Sequence, residues 1–171
     1  MKISPNHTSR NHHFQDLMLH RVHDILLVAS PYDAFILEED GRLTEQILHE
    51  YLGMNLSYAP RVWQANTASY AMDLLSRRSV DLVIVMLRIS DMDFITFGTQ
   101  VKEQYKNKPI ILLAFDESEI KQLPENIGEV IDNVFVWTGN SSVFPAIIKC
   151  IEDVKNVKRD VRKEDVRAIL F

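Results

Sequence analysis

The chain is short of the residues that most catalytic and redox chemistries need. Its single cysteine, Cys150, excludes an intrachain disulfide and falls short of a cysteine-built zinc site, which points to a reducing compartment. Five glycines, none arranged as a glycine-rich phosphate loop, leave no cradle for a nucleotide. No Ser-His-Asp or Cys-His motif pairs a nucleophile with a base. No window approaches the roughly 18 consecutive apolar residues of a membrane span, and the opening MKISPNHTSRNHHFQ has no apolar signal core, so a cytoplasmic protein without membrane attachment is expected. A net charge of −5 argues against a whole-surface nucleic-acid binder, which carries a clustered basic excess. His12, His13, His20 and His23 form the densest histidine group, and His20 and His23 fit one helix face at i, i+3. No carboxylate stands beside them at ligand spacing, so a solvated N-terminal arm fits better than a metal site, and no cofactor is expected.

What the chain does have is a core. With 171 residues, 46% of them hydrophobic, it suits one domain with appended segments. Five short apolar runs, Asp24 to Val28, Val62 to Ala65, Leu82 to Val85, Ile110 to Ala114 and Asn133 to Val136, alternate with amphipathic segments. That alternation is the sequence form of a parallel sheet covered on both faces. The first helix presents Leu43, Ile47, Tyr51 and Leu52 and ends at Gly53; the second follows Thr67 as N-cap and presents Ala71, Leu74 and Leu75. The third presents Phe94, Phe97 and Val101, the fourth is a weak stretch from Ser118 to Leu123 stopped by Pro124, with a loop at Gly128, and the fifth carries Phe144, Ile147, Ile148, Ile151 and Val154. These five units predict an α/β, flavodoxin-like doubly wound sheet of five parallel strands in the order 2-1-3-4-5, with helices on both faces.

The boundaries follow: an N-terminal arm over 1–21, partly helical, a domain over 22–157, and a linker over 158–171, where the mixed charges of Asp153 to Arg167, without Gly or Pro, suit an exposed helix extension or a linker. Pro31 to Gly41 is longer than the two to six residues usual between a strand and its helix. Its acidic triplet Glu38-Glu39-Asp40 fits a solvated helix turn better than a partner surface. The chain stops within the apolar run Val166 to Phe171, which fits the first strand of a second domain cut short; a terminal element docked on the parent domain is the other reading.

Asp81 to Phe94, DLVIVMLRISDMDF, joins an apolar run to a turn-like Arg-Ile-Ser-Asp-Met-Asp segment. In that frame, and in the order and spacing of the five βα units, residues 24 to about 155 resemble a response-regulator receiver (CheY-like) domain. The phrases ILLVASPYDAFILEEDGRLTEQIL and ISDMD resemble, more narrowly, the degenerate receiver-like module at the N-terminus of bacterial proteins related to phosphoenolpyruvate synthase. The resemblance implies a phosphoacceptor aspartate after the third strand, where this chain has Met86, and an acidic metal-binding pair after the first, where it has Ala29 and Ser30. It places a hydroxyl switch residue at Ala114 and a lysine at Trp137-Thr138. A thioether neither attacks phosphorus nor holds a hard cation, so a receiver without phosphorylation chemistry is expected. Asp33, Asp91 and Asp93 lie near the same edge; Asp91 and Asp93 fit as caps of the third helix, and Asp116-Glu117 as the start of the fourth.

Three functions compete on this reading. The first is a pseudo-receiver that acts by contact with another protein or another domain of its own polypeptide, in two-component-type signalling, through Ser118 to Leu123 and Ser141 to Val157. The second is the regulatory head of a phosphoenolpyruvate synthase-like phosphotransferase, whose active site would lie elsewhere, since this chain alone is not expected to be an enzyme. The third is a small-ligand sensor with a pocket lined by Ala29, Met86, Ala114 and Trp137. Trp137 either plugs that space or serves as an exposed recognition residue, and pairing with a second copy is also open.

Overall fold

A computed structural model of the chain describes residues 20–39, 42–53, 59–140 and 142–164, with the backbone alone at 39 and 158–164. The arm with His12 and His13, Asp40, and the run Val166 to Phe171 lie outside the described residues.

The alternating runs fold as one sheet. Strands β1 (Asp24–Val28), β2 (Arg61–Ala65), β3 (Leu82–Met86), β4 (Ile110–Ala114) and β5 (Asn133–Val136) are all parallel, in the order β2-β1-β3-β4-β5. This is the doubly wound order that the sequence predicts. In register, Ile25 sits between Val62 and Leu82, and Ile84 pairs with Ile111, so β-branched side chains stack in rows across the sheet.

The helices are α1 (Pro31–Glu39), α2 (Leu43–Gly53), α3 (Ala68–Arg77), α4 (Phe94–Gln104), α5 (Glu117–Lys121) and α6 (Val143–Glu164), with a 3₁₀ turn over Glu125–Glu129. Pleat alternation splits the strands between two apolar layers. Ile25, Leu27, Ile84 and Leu113 face Leu37, Leu43, Ile47, Phe144 and Ile148 of α1, α2 and α6. Leu26, Val83, Val85 and Leu112 face Ala71, Leu75, Phe97 and Val101 of α3 and α4. Burial of each such side chain stabilises the fold by about 1.5–3 kcal/mol, which explains why these rows, and not any polar group, position the strand ends.

The long segment between β1 and α2 is itself helical, with α1 over Pro31–Glu39, in keeping with the helix turn expected at Glu38 and Glu39. Other expectations need correction. Leu52 and Val154, expected on buried faces, are exposed; Leu52 lies one position past the buried Leu43, Ile47 and Tyr51. Gly128 falls inside the 3₁₀ turn and His20 to His23 have no helical structure; of the two readings of the charged stretch from Asp153, the helix extension holds, since α6 continues as helix through Glu164.

Near the amino edge, the Val22 N–H donates to Glu152 Oε1 at 2.9 Å. Burial raises the pKa of this carboxyl above its ordinary value, against the opposing effect of that hydrogen bond. A group whose folded pKa exceeds its unfolded value favours the fold below the unfolded pKa, and that contribution is lost as pH rises through the folded pKa. Glu152→Gln keeps an acceptor oxygen and cannot ionise. It should therefore be more stable than the parent at neutral pH in urea titrations, with the gap closing below the ordinary glutamate pKa; a constant gap would contradict the assignment.

Candidate functional site

The carboxyl ends of β1, β3, β4 and β5 are consecutive neighbours, so they bring Ala29-Ser30, Met86, Ala114 and Trp137 to one edge of the sheet. This is the edge where doubly wound folds bind ligands. Ala29, Met86, Ala114 and Trp137 are all buried, none more than 5% exposed. Ala29, Met86 and Trp137 belong to the apolar layer shared with α6. Ala114 continues the row of Ile110 and Leu112 on the other face, and meets Trp137 through the backbone: the Trp137 N–H donates to the Ala114 carbonyl at 2.8 Å. The indole packs against the Phe115 ring with centroids 5.6 Å apart. Its Nε1–H is buried without a hydrogen-bond acceptor.

Ser30 has a structural task. Its hydroxyl oxygen accepts the Asp33 N–H at 3.1 Å and its carbonyl the Ala34 N–H at 2.9 Å. Pro31 follows at the first helical position, where a missing N–H costs nothing. The pattern Ser-Pro-Tyr-Asp is thus a helix start, and it was the signal available for α1.

Charge enters this edge through three residues that the sequence does not visibly connect. Asp33, on the inward side of α1, is only 1% exposed. The guanidinium of Arg88, just past β3, donates to it from Nε at 3.2 Å and from Nη2 at 2.9 Å. Arg88 Nη1 lies 3.6 Å from Glu119 Oε1 on α5, and the other oxygen of Glu119 accepts the Phe115 N–H at 2.7 Å. The guanidinium carbon stands 5.7 Å from the centre of the Phe115 ring. Arg88 also accepts the Ser30 N–H at 2.8 Å through its carbonyl. The hydrogen bond that Arg88 donates to Asp33 raises the Arg88 pKa; burial opposes it, and the charges of Asp33 and Glu119 with nearby Tyr32 add to it.

A bidentate guanidinium–carboxylate pair therefore stands at this edge, its arginine two residues past Met86, joining α1, the β3–α4 turn and α5. Sequence reasoning placed Asp33 near this edge but not its partners, which sit in a turn and in a weak helix.

The remaining carboxylates are caps, one of them on a different helix from the one expected. Asp93 caps α4, accepting the Thr96 N–H at 2.8 Å and its hydroxyl at 2.6 Å, and these bonds hold its pKa below the ordinary range. Asp91 instead reaches back to α3, accepting the Ala68 N–H at 2.6 Å, the Ser69 N–H at 3.0 Å and the Ser69 hydroxyl at 2.7 Å. Partial desolvation works against its ionisation, but these bonds prevail and lower its pKa. Asp116 caps α5, with Glu117 opening the helix. Among the described residues, no three of His, Cys, Asp and Glu are grouped to hold a metal ion, and no helix is long and apolar enough to cross a membrane.

Trp137 tests how this edge is closed. Trp137→Ala should cost about 3–5 kcal/mol in denaturant melts, as a buried aromatic truncation. Trp137→Phe should cost far less, because it keeps the ring and removes the unsatisfied donor. Near-parent stability for the alanine variant would contradict the packing role.

Neither a protein-family model nor a curated protein matches the chain. Solved structures do. The signal receiver domain of an HD domain-containing protein from Pseudomonas fluorescens Pf-5 superposes with a TM-score of 0.60 at 23% identity, over 83% of this chain and 95% of that one. The response regulator TrrA from Thermotoga maritima, solved with Mg²⁺ and BeF, gives 0.57 at 18% identity over 75% and 98%. The chemotaxis response regulator CheY4 of Vibrio cholerae gives 0.57 at 17% identity over 76% and 98%. At these identities the likeness concerns architecture: this chain has the flavodoxin-like fold of response-regulator receiver domains.

Proposed function

We propose that this chain is a receiver-like signalling module that takes no phosphoryl group and works in the cytoplasm by contact with another protein or another domain. The observation that carries this reading is Met86: the residue that closes β3 is a thioether only 1% exposed. Phosphoryl transfer to a receiver needs a carboxylate nucleophile, a Mg²⁺ held by oxygen ligands and a free cation for the phosphoryl oxygens. Here Ala29 and Ser30 offer at most one neutral ligand, Trp137 stands at the lysine position, and Arg88 is committed to Asp33.

Interdomain contact is favoured by the structural neighbour from Pseudomonas fluorescens, a receiver domain carried by an HD domain-containing protein. The long α6, with Val154 and Val157 exposed, gives such a contact a surface on the face expected to work.

Thermal melts with Mg²⁺ and beryllofluoride test the reading. A ligand at a hundred times its dissociation constant stabilises the native state by about 2.7 kcal/mol, which a melt resolves. No shift is expected with either additive or with both. An upward shift that requires both together would overturn the proposal.

A further inference from the structure

The chain enters the sheet through a short segment that side chains of α6 hold. His20 donates its N–H to Asn156 Oδ1 at 3.0 Å, and its carbonyl accepts the Asn156 amide at 3.2 Å. One turn earlier on the same helix, Glu152 Oε1 accepts the Val22 N–H at 2.9 Å. Backbone groups of residues 20 and 22 thus meet two side chains four positions apart, with no strand ladder between segment and helix. From His23 onward the chain is fixed differently. The N–H groups of His23 and Asp24 both donate to Asp81 Oδ2, at 2.8 Å and 3.1 Å, and the His23 carbonyl accepts the Arg61 N–H at 2.7 Å. Asp81 directly precedes β3 and Arg61 opens β2, so residue 23 is already anchored to the sheet.

The hold on residues 20–22 is weak beside that anchor. Its apolar part is one buried valine, Val22, while His20 is exposed and Arg21 half-buried. One valine and three hydrogen bonds face the conformational entropy of three ordered residues, and these opposing contributions are of similar size. Segments balanced in this way open locally while the core stays folded. Glu152 adds a charge to the balance. This half-buried carboxyl faces Arg21 of the segment and Tyr51 at the end of α2, with Lys149 and Asp153 near it on α6. Burial raises its pKa; the Val22 hydrogen bond and the charges of Lys149 and Arg21 oppose the rise, and Asp153 adds to it. An opened segment returns the carboxyl to water and to its ordinary pKa. Closure is therefore favoured below that ordinary value, and the contribution is lost as pH rises through the raised one.

We propose that residues 20–22 are a releasable strap across α6, hinged between Val22 and His23, which opens while the sheet stays intact and opens more readily at neutral than at acid pH. Closed, the strap occupies Asn156 and Glu152 on α6. Opening frees both side chains on the helix read as the contact surface, so the strap restrains that surface. This consequence, and not the opening itself, rests on the reading of the chain as a contact module.

Amide hydrogen exchange on the full chain tests the strap, with each rate compared with the intrinsic rate at the same pH. At neutral pH the Val22 N–H should be protected at least about a hundredfold less than the N–H groups of Leu26 and Ile84, and low urea should not change its rate. Asn156→Ala should lower protection at Val22 about tenfold and leave Leu26 and Ile84 unchanged. Protection at Val22 should fall between about pH 4 and about pH 7 in the parent and stay level in Glu152→Gln. Protection at Val22 equal to that at Leu26, or an Asn156→Ala loss shared equally by the strands, would make the segment an integral part of the fold and overturn the proposal. A pH-independent parent, or the same pH response in Glu152→Gln, would overturn it as well. None of these results bears on the Mg²⁺ and beryllofluoride melts, so failure of the strap leaves the non-phosphorylated reading standing, whereas a melt shift with both additives removes that reading independently.

Discussion

The carboxyl edge of this protein depends on one buried carboxylate and the guanidinium that neutralises it. Asp33 is almost wholly enclosed, and an unpaired ionised carboxyl there would face a desolvation cost of several kcal/mol. Arg88 removes that cost with two hydrogen bonds, and in doing so ties the inserted helix α1 to the turn after β3. Its remaining nitrogen reaches towards Glu119, which in turn fixes the first residue past β4. Three segments that follow β1, β3 and β4 are thereby cross-linked by side chains.

The rest of the edge follows a single electrostatic rule. Ala29, Met86, Ala114 and Trp137, at the ends of four neighbouring strands, are all buried and uncharged, so Asp33 is the buried charge at this edge that requires a counter-ion. The sheet tolerates this because its strands are positioned by apolar rows on both faces and not by the site. Fold and chemistry are separable in such architectures. The one cost visible at the edge is the indole N–H of Trp137, buried without an acceptor beside an aromatic neighbour.

Much of this was legible in the sequence, and the exceptions share a cause. The strands were plain because a sheet covered on both faces favours short continuous apolar runs, as in Leu82–Met86 and Ile110–Ala114, and these alternate with amphipathic segments. The neutral residues at the strand ends were plain for the same reason, since their places are fixed by the strands. Only a helix turn of α1 was visible, because Tyr32 and Phe35 face solvent and blur the apolar period, although Ser30-Pro31 announced its start. Asp91 looked like a cap for the helix three residues on, yet it serves one more than 20 residues earlier in the chain. The Asp33–Arg88 pair spans 55 residues. Local spacing carries no trace of such partners, which only the sheet order brings together.

A double-mutant cycle on that pair tests the account most directly. Asp33→Asn, Arg88→Met and the combined variant would be unfolded in urea alongside the parent. Arg88→Met should cost about 2–3 kcal/mol, below the range for fully buried pairs because the arginine is half exposed and water can approach from its side. With the carboxyl charge already removed, the same change should cost much less, so the combined variant should be markedly more stable than the two single losses added together. Simple additivity would mean that the two side chains do not depend on each other, and would contradict the account of how this edge is held.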